Sequence, residues 1–157
     1  MTAAPDDYNP GLWHDNLVYG LRFDLGDPAR GDWRADLALD IDHIVEWLCA
    51  PDKSVRFRVA PATLTFHHVG DFALTVDCGD SGGQAALHVL SIDRIERQRL
   101  PPKAQKVCLD RPYYHWRVVL NWPQGGDIRF YASGFTLRLR AEPVLSDQPS
   151  LSPLERV

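Results

Sequence analysis

The sequence predicts an all-β protein: an antiparallel β-sandwich, or a curled, partly closed barrel, of about eight to nine strands. Three observations predict it. Apolar residues recur with a period of two along most of the chain. Clusters of Gly, Pro and Asp punctuate these runs at short intervals. No segment holds a 3.6-residue period over three turns.

Taken in order, Leu17, Tyr19, Leu21 and Phe23 alternate with Val18, Gly20 and Arg22 in a first strand. Leu37, Leu39 and Ile41 alternate with Asp36, Ala38, Asp40 and Asp42 in a second. Ile41, Ile44, Val45 and Leu48 could share a helix face, but β-branched residues following an alternating run favour continued strand. Val55, Phe57 and Val59 mark the next strand, Leu64 and Phe66 another, then Phe72, Leu74 and Val76, then Leu87, Val89 and Ile92. Trp116, Val118, Leu120 and Trp122 share the core face of a later strand, followed by Ile128 and Phe130, then Phe135, Leu137 and Leu139. Gly134 interrupts the register between the last two and predicts a bulge or bend. Turns are expected at Gly26-Asp27-Pro28, Pro51-Asp52, Val69-Gly70-Asp71, Gly79 to Gly83 and Pro123 to Gly126, the last as a hairpin loop. Arg56, Arg58, Arg117, Arg129, Arg138 and Arg140 occupy polar positions and are expected outside. Residues 97–112, with three prolines, form the longest irregular stretch.

The chain of 157 residues reads as one domain: a loose arm over 1–11, a single β domain over 12–142 and a loose Ser- and Pro-rich tail over 143–157. The net charge of -4 argues against a nucleic-acid binder, which is normally basic. Residues 1–52 carry eleven acidic and three basic side chains and the remainder ten and fourteen, so the two parts are expected to form ion pairs across strands. Cys49, Cys78 and Cys108 are odd in number and widely spaced, which fits neither a disulfide framework nor a structural zinc site. The start, Met1 to Pro10, is polar and lacks an apolar signal region, and no apolar run is long enough for a membrane helix. The expected location is cytoplasmic.

Several motifs invite chemistry. Gly79-Asp80-Ser81-Gly82-Gly83 resembles the segment around the nucleophilic serine of chymotrypsin-like proteases. Nothing in the chain matches that family's histidine segment, so a glycine-rich turn is the better reading. His14-Asp15 opens the first strand, and Asp40, Asp42, His43, Glu46 and Trp47 cluster on the second. Carboxylates and imidazoles so placed could exchange protons or hold a ligand, and these seven residues are the candidate binding site. They lack the tight spacing of a metal motif, and His67 and His68, being adjacent, would face opposite ways on a strand. No metal site, no cofactor and no catalytic residue is assigned. Trp13, Trp33 and Trp47 stand near strand ends, where an aromatic rim could serve a ligand or a partner. The basic run Arg94, Arg97, Arg99, Lys103, Lys106 and Arg111 reads as solvated.

The ordered set Trp13-His14-Asp15-Asn16, Leu37 to Trp47, and Ala62 to Val69 resembles small uncharacterised bacterial all-β proteins, some of them grouped with immunity proteins of polymorphic toxin systems. The resemblance covers residues 12–78 and implies a cytoplasmic, non-catalytic protein that binds another protein.

These readings converge on a non-catalytic interaction protein with a protein partner, immunity-like if the resemblance holds. The alternatives are a small-molecule binder with a β-barrel-like cavity, and a hydrolase that uses a metal or a carboxylate–histidine pair, with His14, Asp15, Asp42 and His43 as its candidates. An exposed edge strand would also permit a homodimer by sheet continuation.

Overall fold

Apolar–polar alternation from Ala35 to Cys49 builds the longest strand, β2, and eight further strands pair around it. The computed structural model describes residues 8–79, 90–101, 103 and 111–156. The strands are β1 (Leu17–Leu25), β2, β3 (Val55–His67), β4 (Gly70–Thr75), β5 (Leu90–Arg99), β6 (Tyr114–Trp122), β7 (Asp127–Ala132), β8 (Gly134–Leu139) and β9 (Val144–Ser146). All pairs are antiparallel and form one sheet in the order β4-β7-β6-β5-β1-β2-β3-β8, with β9 also beside β3. The all-β antiparallel class is the one the alternation predicts. The expectations at Asp80 to Gly83, Leu87, His88, Val89, Lys106 and Cys108 lie outside the described residues.

The sheet curls on itself through one corner. β3 pairs β8, β4 pairs β7, and β4 and β8 each continue their predecessor after a short bend. Ser133 N donates to His67 O at 2.9 Å, and Val69 N donates to Ala35 O at 2.6 Å, which lock both bends. The break in register that Gly134 announces is this corner.

Two expected strands merge. Val55 to Val59 and Leu64 to Phe66 belong to a single β3 that runs through Pro61. Proline lacks a ladder donor, but here β3 changes partner: Phe57 to Val59 pair β9 and Ala62 to His67 pair β8. Pro61 O still accepts from Arg140 N at 2.8 Å.

The curl encloses Leu37, Leu39 and Ile41 of β2, Ala62, Leu64 and Phe66 of β3, and inward residues of β5, β6 and β7. Trp116 is fully buried at the centre, 5.1 Å from Phe66 and 5.7 Å from Phe135 between ring centroids. Its indole N–H donates to Ala132 O at 3.2 Å, which removes the cost of burying it. A one-turn 3-10 segment, Pro10–Trp13, brings Trp13 into this core, and Tyr8 packs edge-on against Trp116 at 5.6 Å. Tyr8, within the expected arm, is thus packed against the core. Trp122, expected in the core with Trp116, is exposed: it pairs Ser91, and a register shift between the Leu120–Ile92 and Trp122–Ser91 pairs takes it off the core face.

Two further expectations are corrected. Arg97 and Arg99 lie on β5 rather than in an irregular stretch, and Arg97 stacks over the rings of Tyr8 and Tyr114 at 4.8 Å each. Residues from Val144 onward are not loose: β9 pairs β3, and Leu151 joins Ile44, Phe57 and Val59 in a second core on the outer face of the sheet. The apolar residues on that face need a cover, and this segment supplies it. The expected pairing between the acidic and basic parts occurs at Asp42–Arg156 and Glu46–Arg58.

Candidate functional site

An exposed row of apolar side chains lies on the inner side of β1. Register places Leu21 opposite Leu39, Phe23 opposite Leu37 and Leu25 opposite Ala35, so all three face the same side as the main core. Leu37 and Leu39 are completely buried, yet Leu21, Phe23 and Leu25 are 37%, 45% and 66% exposed. Among the described residues, β5 pairs β1 at Leu17 and Val18, and a bulge follows Val18 in the pairing of β1 with β2. Among the described residues, no strand pairs Tyr19 to Leu25 on that side. Across the gap, Phe72 of β4 meets Phe23 edge-on at 5.0 Å. Leu74, on the same face by its pairing with buried Ile128, is also exposed. The result is an apolar mouth between β1 and β4. It offers hydrophobic contact.

The seven candidate residues separate into five places. His14 and Asp15 lie in the turn before β1, with His14 Nδ1 3.1 Å from Asp15 and Nε2 3.6 Å from Asp93. Asp15 accepts from Asn121 Nδ2 at 2.8 Å and has a left-handed backbone, φ 62°. Asp40 faces outward, bonded to Arg22 at 2.5 Å and Thr63 at 2.7 Å. Asp42 is completely buried beneath residues 151–156. His43 points to the opposite face, where its Nδ1 meets Asn16 Oδ1 at 2.9 Å. Burial pushes its pKa down to about 4. Glu46 pairs with exposed Arg58, and Trp47 packs edge-on against Phe57 at 4.9 Å. The carboxylate–histidine candidates His14, Asp15, Asp42 and His43 do not converge, because neighbours along a strand point to opposite faces. Among the described residues, no three His, Cys, Asp or Glu side chains are placed to hold a metal ion.

One constellation went unread in the sequence. Asp36 of β2, His67 of β3 and Thr136 of β8 line up across three strands: Asp36 Oδ2 is 3.0 Å from His67 Nδ1, and His67 Nε2 is 3.1 Å from Thr136 Oγ1. A carboxylate only accepts, so Nδ1 carries the proton. Asp36 Oδ1 accepts from His68 N at 3.2 Å, and His68 Nδ1 lies 2.8 Å from Ser133 Oγ. Tyr113 donates to His68 O at 2.8 Å. His68 has a left-handed backbone, φ 56°, which these bonds hold in place. Burial and, after it, the Arg111 charge lower the His68 pKa. The arrangement resembles a charge relay but sits on the outer face at the corner, where it ties β2, β3 and β8 together. The only signal in the sequence was the His67-His68 pair at a strand end.

Among the described residues, no helix is long and apolar enough to cross a membrane. Comparison with known proteins finds no match: no family model, no curated protein and no solved structure matches the chain.

Proposed function

We propose that this is a non-catalytic binding protein that receives an extended apolar segment of a protein partner in the mouth between β1 and β4. The observation that carries the reading is the exposure of Leu21, Phe23 and Leu25 on a face whose β2 neighbours are fully buried. An extended segment laid over Leu21, Phe23 and Leu25 would cover these three side chains with alternate residues of its own. The resemblance of residues 12–78 to small β-proteins grouped with immunity proteins supports a protein partner.

Site-specific photo-crosslinking in the native host tests this. A photoreactive residue at Leu25 is expected to give an adduct with a defined partner segment, lost on Leu21→Lys. The same group at Asp24, which faces outward, is expected to give none. A bound apolar small molecule in native mass spectrometry, with no adduct at Leu25, would replace the protein partner by the small-molecule reading. Equal labelling from both positions would sink the site.

A further inference from the structure

Trp13 is 3% exposed, and among the described residues its indole N–H is the one buried side-chain polar group without a hydrogen-bond partner. Folded proteins pair nearly all such groups, so a lone donor points to a partner from outside the chain. Phe135 meets the indole edge-on at 5.8 Å, a contact that replaces little of a hydrogen bond. His43 lies beside Trp13, with ring centroids 5.8 Å apart. Asn16 Oδ1 accepts from Ile44 N, and an amide oxygen only accepts, so the His43 Nδ1 that faces it carries the proton. Burial keeps the ring neutral, with its pKa pushed down to about 4, and Nε2 therefore holds a lone pair. No described residue donates to it. Fully buried Asn16 fixes both groups: its N donates to Trp13 O at 3.2 Å, and its Nδ2 donates to Leu12 O and His14 O on either side of Trp13. We infer that the Trp13 N–H and His43 Nε2 form a binding site for the hydroxyl group of a small, uncharged, otherwise apolar molecule.

The chemistry selects the ligand. A hydroxyl oxygen accepts from the indole while its proton goes to the imidazole. A carboxylate brings no proton for Nε2, and an ammonium has no lone pair for the indole. The neighbours favour an apolar body. Phe135 and Leu137 are partly buried against the main core. Leu139 pairs with fully buried Ala62, which places it on the same inward face, yet it stays 42% exposed. His43 itself pairs with Ala60, a small side chain. Water would satisfy the two polar atoms and gain nothing from these walls, whereas an apolar alcohol or phenol gains from both. The site lies toward the other end of β2 from the apolar mouth and does not rest on the function proposed for that mouth.

Titration of the full chain, labelled with nitrogen-15, with phenol at neutral pH tests the inference by NMR. The Trp13 indole N–H and His43 Nε2 resonances are expected to shift together and to saturate at millimolar phenol. Anisole keeps the oxygen but has no proton to give, and toluene has neither. Both should bind about tenfold more weakly than phenol. Trp13→Phe keeps a ring in the core and removes the donor, so the His43 Nε2 shift should then need about fivefold more phenol. Should Trp13→Phe fail to fold, the comparison of phenol with anisole and toluene in the unaltered chain decides by itself. Equal affinity for all three probes would mean an apolar cavity that does not use the polar pair. A Trp13 N–H that exchanges with water and ignores phenol would mean a water site only. Either result, or phenol affinity unchanged in Trp13→Phe, would overturn the inference.

Discussion

The carboxylate of Asp36 lies 3.0 Å from His67 Nδ1, although 31 positions separate the two residues. Its other oxygen accepts from the backbone of the next residue, His68, so one buried carboxylate holds both histidines of the corner. Asp36→Ala removes both acceptors and is expected to cost about 2–4 kcal/mol in urea unfolding. Thr136→Val, which ends only the far bond of His67, should cost about 1 kcal/mol. A loss at Asp36 no larger than that of exposed Asp24→Ala would show that the corner does not depend on it.

Asn16 plays the matching role at the start of β1. Its side-chain oxygen accepts from Ile44 N at 3.0 Å and faces His43 Nδ1, and its Nδ2 donates to Leu12 O and His14 O at 3.3 Å each. It is completely buried. Asn16→Ala is expected to cost about 2–4 kcal/mol, since it leaves buried backbone groups unpaired. Calorimetry of Asn16→Ala, His43→Gln and the double variant should show strong non-additivity, and additive losses would contradict the shared network.

His43 also sets a pH dependence. Its folded pKa, about 4, lies below the ordinary value of 6.5 because burial disfavours the cation. The neutral ring is stabilising above pH 6.5. As pH falls from about 6.5 to about 4, the unfolded chain gains a proton that the folded chain refuses. About 3 kcal/mol is lost over that window from this group. His43→Gln should flatten the stability profile between those values, and an unchanged slope would assign it elsewhere.

The mouth makes a contrast between positions on the same face of neighbouring strands. Leu39→Ala, at a completely buried site, should cost about 3 kcal/mol. Leu25→Ala, on the same face but open, should change stability by no more than about 0.5 kcal/mol. A large loss at Leu25 would mean that the position is part of the core and not available to a partner.

Much of the fold is legible in the residues. A period of two separates inner from outer positions because successive side chains on a strand point to opposite faces, and this places Leu37, Leu39, Leu64, Phe66 and Trp116 in the core. Gly134 marks the corner, and the β-branched run after Ile41 continues as strand to Cys49. Little of the site is legible. Leu21 and Phe23 carry the same alternation as Leu37 and Leu39, and periodicity names a face without saying what covers it.

By itself, then, the sequence determined the class of fold, most of the strands and the side most of their residues take, because these follow from local backbone geometry. Only the tertiary structure decided which inward side chains stay exposed, because that depends on what packs over each face of the curled sheet. It alone joined Asp36 to His67 and Thr136, and folded Leu151 and Arg156 over Asp42, because contacts between distant positions depend on strand order and curl. Ser- and Pro-rich composition makes residues 143–157 read as loose. The apolar outer face of β2 and β3, together with one buried carboxylate, holds them down.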